Sequence, residues 1–288
     1  ISNASAEGIA TGEPIFGIDA QIDGMVYASF VKCPSIGGVA KSANLEVVKA
    51  LPGIIDAFIL DGTPGPYSFD IRESYAIQSG VAIVGKDTWS TFKARETLKV
   101  DWDLSTASRD DSDAIEAEAL TALAAGKVET EIERAGDVDA AFANAAMTAD
   151  ATYSTDFVSH AQLEPQGVVV SAATRAVEVW TSSQTPVFVT SNLVKLLDVT
   201  PGNITVHQLR GGGGFGRRLS NEYIYEAALI SRRVGTPVKL QWKREDDMAF
   251  DYFRAPTYYR LQGAISSGEH QTRRHKLTAP PPPECDTV

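Results

Sequence analysis

The chain is 288 residues long, 43% hydrophobic and 22% charged, an ordinary globular composition with apolar material for one large domain or two to three smaller ones. Its formal charge of -11 and isoelectric point near 4.9 argue against a general nucleic-acid or anionic-membrane surface, which needs a dominant basic face. Two cysteines, Cys33 and Cys285, and four histidines without an HExxH pairing exclude a disulfide framework, a multi-cysteine zinc or iron–sulfur site and a classical metalloprotease centre. No apolar run reaches 18 residues and no signal peptide is visible; because Ile1 is not an initiator methionine, the natural start is expected upstream.

Residues 1–11 read as a flexible lead. Pro14 to Gln21 and Met25 to Cys33 are β-rich runs about the turn signal Asp23-Gly24, and Asn44 to Leu51 reads as a helix stopped by Pro52-Gly53. Ile54 to Leu60 is a compact strand, Asp61 to Gln78 a long loop, and Val81 to Val84 a buried-type strand. Asp87 caps a helix to Leu98, and Lys99 to Asp103 returns as a strand that closes a first mixed α and β domain. Leu104 to Asp111 suits a linker, and Asp113 to Ala125 an alanine-rich surface helix. Further on come a helix from Asp137, alternating strands over Ala149 to Val158, and a hairpin of Gly167 to Ala172 with Ala176 to Thr181. Thr185 to Leu197 is helical, and Tyr258 to Ile265 is the last readable strand. Gly268 to Val288, with four consecutive prolines, reads as a disordered or aberrant end.

The segment Arg210 to Arg218, Arg-Gly-Gly-Gly-Gly-Phe-Gly-Arg-Arg, stands out. Four consecutive glycines give up much backbone freedom on ordering and add no side chain to packing, so a ligand seeking bare N–H groups is the usual reason for them. A strand, Asn203 to Leu209, precedes the loop; a helix, Leu219 to Val234, and the strand Pro237 to Trp242 follow it. Gly211, Gly213 and Gly216 satisfy the dinucleotide pattern GxGxxG, which opens the reading of an NAD-dependent dehydrogenase with Glu245 as a late substitute for the ribose-binding acid. The P-loop pattern fails, since Arg217-Arg218-Leu219 stands where Lys and Ser or Thr are needed. Arg217 and Arg218 would sit in the first turn of a helix, where cations oppose the macrodipole. A bound anion beside them is the better explanation.

Gly212-Gly213-Gly214-Phe215-Gly216, the upstream block Trp180-Thr181-Ser182-Ser183-Gln184-Thr185-Pro186, the block His160-Ala161-Gln162-Leu163-Glu164-Pro165-Gln166 and Arg244-Glu245-Asp246-Asp247-Met248 together resemble the molybdenum-binding large subunit of the xanthine dehydrogenase and aldehyde oxidase family. The match is nearest to its bacterial isoquinoline 1-oxidoreductase β-subunit branch and runs from about Gly12 to Ile265. The resemblance implies an α+β fold: an α/β hammerhead domain over 12–104, a linker and surface helix over 105–126, the first part of a molybdopterin-binding mixed α/β domain over 127–267, and a tail over 268–288. It implies a molybdenum–molybdopterin cofactor, in bacteria commonly the cytosine dinucleotide form, held by Gln184, Gly212, Gly213, Gly214, Phe215, Gly216, Arg217 and Arg218, with no protein ligand to the metal. Gln184 would hydrogen-bond an oxygen on the metal.

The implied reaction is hydroxylation of an N-heteroaromatic ring or an aldehyde with oxygen from water, the electrons leaving through a partner subunit carrying 2Fe–2S clusters. The family's catalytic glutamate would lie beyond this chain. A second family glutamate aligns with Leu219, which argues against purine-type recognition. Without the missing half no turnover is expected, so a non-catalytic cofactor-holding piece stays open beside the dehydrogenase reading. His160 and Glu164 either line a substrate cavity or are satisfied structural residues. Glu245-Asp246-Asp247 is a metal-binding carboxylate cluster or, preferably, a solvated strand end balancing Lys243 and Arg244.

Overall fold

The computed structural model describes residues 6–13, 16–63, 75–126, 130–266 and 269–278. In chain order the elements are α1 (Ala6–Thr11), β1 (Val26–Lys32), β2 (Val39–Ala43), α2 (Leu45–Lys49), β3 (Ile54–Leu60), β4 (Gly80–Gly85), α3 (Thr88–Ala94), β5 (Val100–Asp103), α4 (Ser112–Ala125), α5 (Val138–Ala143), β6 (Met147–Thr155) and β7 (Gly167–Ser171). They continue as β8 (Val177–Thr181), α6 (Pro186–Leu197), β9 (Ile204–Gln208), α7 (Glu222–Val234), β10 (Val238–Gln241), α8 (Arg244–Ala249), β11 (Thr257–Ser266) and β12 (Glu269–Thr278). Short 3-10 turns lie at Gly17–Asp19, Pro201–Asn203 and Arg217–Leu219.

The described residues fall into two units, one from Ile1–Ser108 and His160–Tyr252, the other from Arg109–Ser159 and Phe253–Glu284. The first is built on a seven-stranded mixed sheet in the order β3-β4-β1-β10-β7-β8-β9, with β2 and β5 forming a separate antiparallel pair. β10 inserts parallel to β1 and antiparallel to β7. The boundary expected after residue 104 therefore does not separate the sheets. Strands from both sides of it share one ladder, because β1 and β7 are both short of a neighbour until β10 arrives.

Alternation along the strands divides the apolar residues between two cores. Ala82 and Val84 of β4 join Ala28, Phe30, Val168, Val170, Val238 and Leu240 under α6 and α7, which contribute Val189, Leu193, Tyr223, Ile224, Ala227 and Ile230. Val81 and Ile83 point the other way, into a smaller core with Val48, Ala57 and Ala94 beneath α2 and α3. Ile83 is fully buried, so Ile83→Val should cost about 1 kcal/mol of unfolding free energy. Urea titration should show a lower midpoint with an unchanged slope.

α7 stops at Gly235, whose φ of 74° places it in the left-handed region and whose N–H caps Ser231 O. On its buried face Glu226 pairs with Lys32 of β1 at 3.1 Å and accepts Trp242 Nε1–H at 3.0 Å. Burial pushes the Glu226 carboxyl up to about 7, with Lys32 only partly offsetting it; burial likewise lowers the Lys32 ammonium. Between the ordinary value of 4.5 and about 7 the folded chain holds a proton that the unfolded chain has released. The contribution of Glu226 is thus full below that window and is lost as pH rises through it. Denaturation midpoints measured from pH 4.5 to 7.5 should fall with this slope in the native chain and flatten in Glu226→Gln.

In the second unit β6, β11 and β12 make an antiparallel sheet in the order β12-β11-β6, with Ala119 and Leu123 of α4 packed on Tyr258. Three expectations need correction. The end expected to be disordered from residue 268 instead supplies β12, because β11 offers an open edge along Tyr258–Ser266 that Glu269–Thr278 fills; residues 279–288 lie outside the described residues. The lead is helical over Ala6–Thr11, where Thr11 Oγ donates to Glu7 O at 2.8 Å. The β-rich run expected at Pro14 to Gln21 is a 3-10 turn over Gly17–Asp19. Most of the loop expected at 61–78, residues 64–74, lies outside the described residues.

Candidate functional site

The glycine loop connects β9 to α7 within the first unit and is sandwiched between two other segments. On one side runs His160 to Glu164. Glu164 N–H donates to Gly212 O at 3.1 Å, and a Cβ added at Gly212, Gly213 or Gly216 would meet Glu164 Cβ at 2.6 Å, Gln162 Cβ at 3.3 Å or His160 Nε2 at 3.3 Å. On the other side lies Ser182 to Gln184, and a Cβ at Gly214 would fall 2.7 Å from Gln184 Oε1. Gly213 and Gly216 also hold φ of 99° and 106°, and Phe215 sits at 56°, the left-handed region that side chains resist. Contact with protein and positive φ therefore explain the glycines.

What the loop leaves over points to a ligand. Gly212 N–H is taken by Glu164 Oε2 at 2.5 Å, but the N–H groups of Gly213, Gly214, Phe215 and Gly216 have no acceptor among the described residues. Gln184 uses its backbone N–H on Arg218 O at 2.9 Å and its Oε1 on Arg218 N–H at 3.2 Å, so its side-chain NH2 remains to donate. A cavity of about 340 Å³ lies here, lined by Ser182, Ser183, Gln184, Gln208, Gly211, Gly213, Gly214, Phe215 and Arg218, at the small end of ligand sites. Ser183 Oγ donates to Asn221 Oδ1 at 2.7 Å and accepts Thr185 N–H at 2.9 Å, while Gln208 donates to Ser183 O at 2.8 Å. This mesh fixes the wall that carries Gln184.

The two arginines lie beneath the loop rather than in it. Arg218 is 1% exposed: its Nε–H donates to Gly213 O at 2.7 Å, one terminal nitrogen to Gln166 and Ser182 at 2.9 Å each, and the other to Glu164 O at 2.8 Å and Glu164 Oε2 at 3.1 Å. Arg217, also buried, pairs with Glu222 and with Asp251 at 3.1 Å and lies over the rings of Trp242 and Tyr252. Of the two expected phosphate clamps, Arg218 has all three guanidinium nitrogens bonded to protein, whereas Arg217 pairs with Glu222 and Asp251 and keeps Nη1 without a hydrogen-bond partner among the described residues. Arg218 braces the loop backbone through Gly213 O, while Arg217 bonds Phe250 O outside the loop.

Glu164 also departs from the cavity-lining option. Buried, it accepts Ile18 N–H at 2.7 Å and Gly212 N–H at 2.5 Å and pairs with Arg218, so it is a lock between three segments. His160 stays partly exposed and bonds Asp251 through its ring at 2.9 Å. The acidic trio after β10 is no solvated strand end: it lies in α8, with Asp246 held by Arg95 at 2.5 and 2.6 Å, and Asp247 by Gln162 at 2.8 and 2.9 Å and by Arg244 at 2.9 Å. The two carboxylates diverge. Burial raises the Asp247 carboxyl despite Arg217, Arg244 and Gln162.

Two residues that matter here, Asp251 and Glu222, carry no motif. The only signal for Glu222 was its place in the first turn of a helix behind two arginines, and Asp251 gave none.

Topology also bears on the dinucleotide alternative. A GxGxxG unit leads into an adjacent parallel strand whose tip carries the ribose-binding acid, whereas β10 is separated from β9 by β8 and β7, roughly 14 Å at the usual strand spacing. The segment after β10, including Glu245, therefore does not follow the neighbouring strand. The loop's free amide donors suit the anionic oxygens of a ligand.

A model of the molybdopterin cofactor-binding domain matches residues 121–278, more than half of the chain. The chain belongs to this family. Among curated proteins similar to this chain, a membrane-bound aldehyde dehydrogenase (pyrroloquinoline-quinone) from Gluconacetobacter polyoxogenes is 30% identical over 267 residues, covering 91% of this chain and 33% of its own length. Isoquinoline 1-oxidoreductase subunit beta from Brevundimonas diminuta is 27% identical over 278 residues, 93% of this chain and 33% of its own. The molybdopterin-binding chain thus spans about a third of the length of these relatives. Quinoline 2-oxidoreductase from Pseudomonas putida 86 shares the fold, with a TM-score of 0.70 at 17% identity over 96% of this chain and 38% of that one. Among the described residues no helix is long and apolar enough to cross a membrane.

Proposed function

We propose that this chain forms the glycine-loop side of the cofactor site in the large subunit of a molybdenum hydroxylase that acts on an N-heteroaromatic compound or an aldehyde. The observation that carries the reading is that the amides from Gly213 to Gly216 have no acceptor among the described residues, while Gly213, Gly214 and Phe215 line one cavity with Gln184, whose side-chain NH2 also remains to donate. When bound, the molybdopterin group supplies two-electron oxidation of a substrate carbon, with the oxygen drawn from water. The balanced change is C–H plus water to C–OH, two protons and two electrons. Gln184 would donate from its NH2 to an oxygen on that group, and the loop amides would hold its anionic oxygens in a preorganised array. Glu164 and Arg218 keep Gly212 and Gly213 in register for this.

The cytosine dinucleotide form and a 2Fe–2S partner subunit complete the proposal. The latter agrees with a chain whose only described cysteine, Cys33, is buried and single, and with one relative's being a subunit beta. The test is elemental analysis and nucleotide release on the full-length polypeptide purified with its partner. Molybdenum with a cytosine nucleotide supports the proposal; bound NAD, or pyrroloquinoline quinone without molybdenum, overturns it.

A further inference from the structure

His160 and Asp251 form a polar pair at the edge of the loop opposite Gln184. Asp251 Oδ2 accepts the His160 backbone N–H at 2.6 Å, and Oδ1 faces ring Nδ1 at 2.9 Å and Arg217 Nε at 3.1 Å. The Asp251 side chain is 1% exposed and that of Arg217 0%, whereas His160 keeps 22%. Beside a guanidinium, Asp251 is an acceptor only, so the proton of a neutral His160 ring sits on Nδ1 and Nε2 presents a lone pair. Nε2 has no partner among the described residues and lies 3.3 Å from where a Cβ on Gly216 would stand. Two backbone and side-chain bonds to one carboxylate, itself fixed by a buried arginine stacked on Trp242 and Tyr252, leave the ring little freedom.

We infer that Asp251 is a positioning residue that sets the tautomer of His160, and that His160 Nε2 is a hydrogen-bond acceptor for an N–H or O–H edge of the ligand seated on the loop. The loop thereby offers donors from its amides and Gln184 on one side and a single acceptor on the other. It can discriminate a ligand edge carrying a donor from one that is purely anionic. This rests on the proposal that the loop cradles a pterin-type group.

Two measurements test it. The native chain labelled with 15N at its four histidines should show His160 with a protonated Nδ1 and a bare Nε2; the opposite tautomer would sink the inference whatever the loop binds. In the full-length polypeptide with its partner, His160→Gln keeps an acceptor near the Nε2 position, while His160→Asn keeps only the donor toward Asp251. Pterin retained per chain through serial dilution, read by fluorescence after release, should fall about tenfold in His160→Asn, the loss of one neutral hydrogen bond, and stay within about twofold in His160→Gln. A merely structural histidine predicts the reverse order, and equal retention in both variants overturns the inference. If the native polypeptide retains no pterin at all, the proposed function fails and this acceptor role with it, while the tautomer result still reports on Asp251.

Discussion

Glu164→Ala is expected to destabilise the first unit by roughly 3–5 kcal/mol, because it strips one partner from a buried ion pair and leaves Arg218 with uncompensated charge. The loss spreads further than the pair. Ile18 N–H and Gly212 N–H lose their acceptor together, and unsatisfied buried donors carry their own penalty. Urea denaturation of Glu164→Ala, Arg218→Ala and the double variant should give single losses whose sum exceeds the double loss by more than about 1 kcal/mol, as for residues sharing one network. A Glu164→Ala midpoint within error of the native chain would show that the lock is not holding the loop.

Gly214→Ala should separate binding from folding. The φ of Gly214 is not positive, so alanine fits its backbone, but the new Cβ would lie 2.7 Å from Gln184 Oε1. That side chain is exposed and can swing away, at the expense of its bond to Arg218 N–H. The expected result is a protein that unfolds within a few degrees of the native one but carries at least tenfold less molybdenum per chain, measured by elemental analysis on the full-length polypeptide. Gly212→Ala makes the contrast. Its Cβ would stand 2.6 Å from Glu164 Cβ, which is fixed by three partners, so overpacking of about 1–3 kcal/mol should appear as a lower melting temperature. Full molybdenum occupancy in Gly214→Ala would remove Gln184 from the site.

Much of this architecture was legible in advance because local pattern and tertiary role coincide. The strand at 203–209, the helix after Thr185, the helix ending at Gly235 and the strand from Pro237 all occur within a few residues of where periodicity and stop signals put them. The blocks around His160, Gln184 and the glycines come together at one loop. Charge misled where burial reversed its usual meaning. Arg217, Arg218, Asp246 and Asp247 look like surface residues in one dimension, and only the partners supplied from far along the chain, Asp251, Glu164, Arg95 and Gln162, make their burial tolerable. Strand pairing was equally hidden. Nothing local in Val26–Lys32 announces a neighbour near residue 238, and nothing in the charged run from Glu269 announces that it will complete an antiparallel edge.

The insertion of β10 between β1 and β7 has a temporal consequence. Val26 cannot meet Val238 until about 200 further residues have left the ribosome, on the order of 10–40 seconds at ordinary synthesis rates. During that interval the nascent β3-β4-β1 ribbon exposes a hydrogen-bonding edge of apolar strands, the kind of surface that aggregates or recruits holdases. Expression yield should therefore depend on translation speed and chaperone supply well before any cofactor is available to the finished polypeptide.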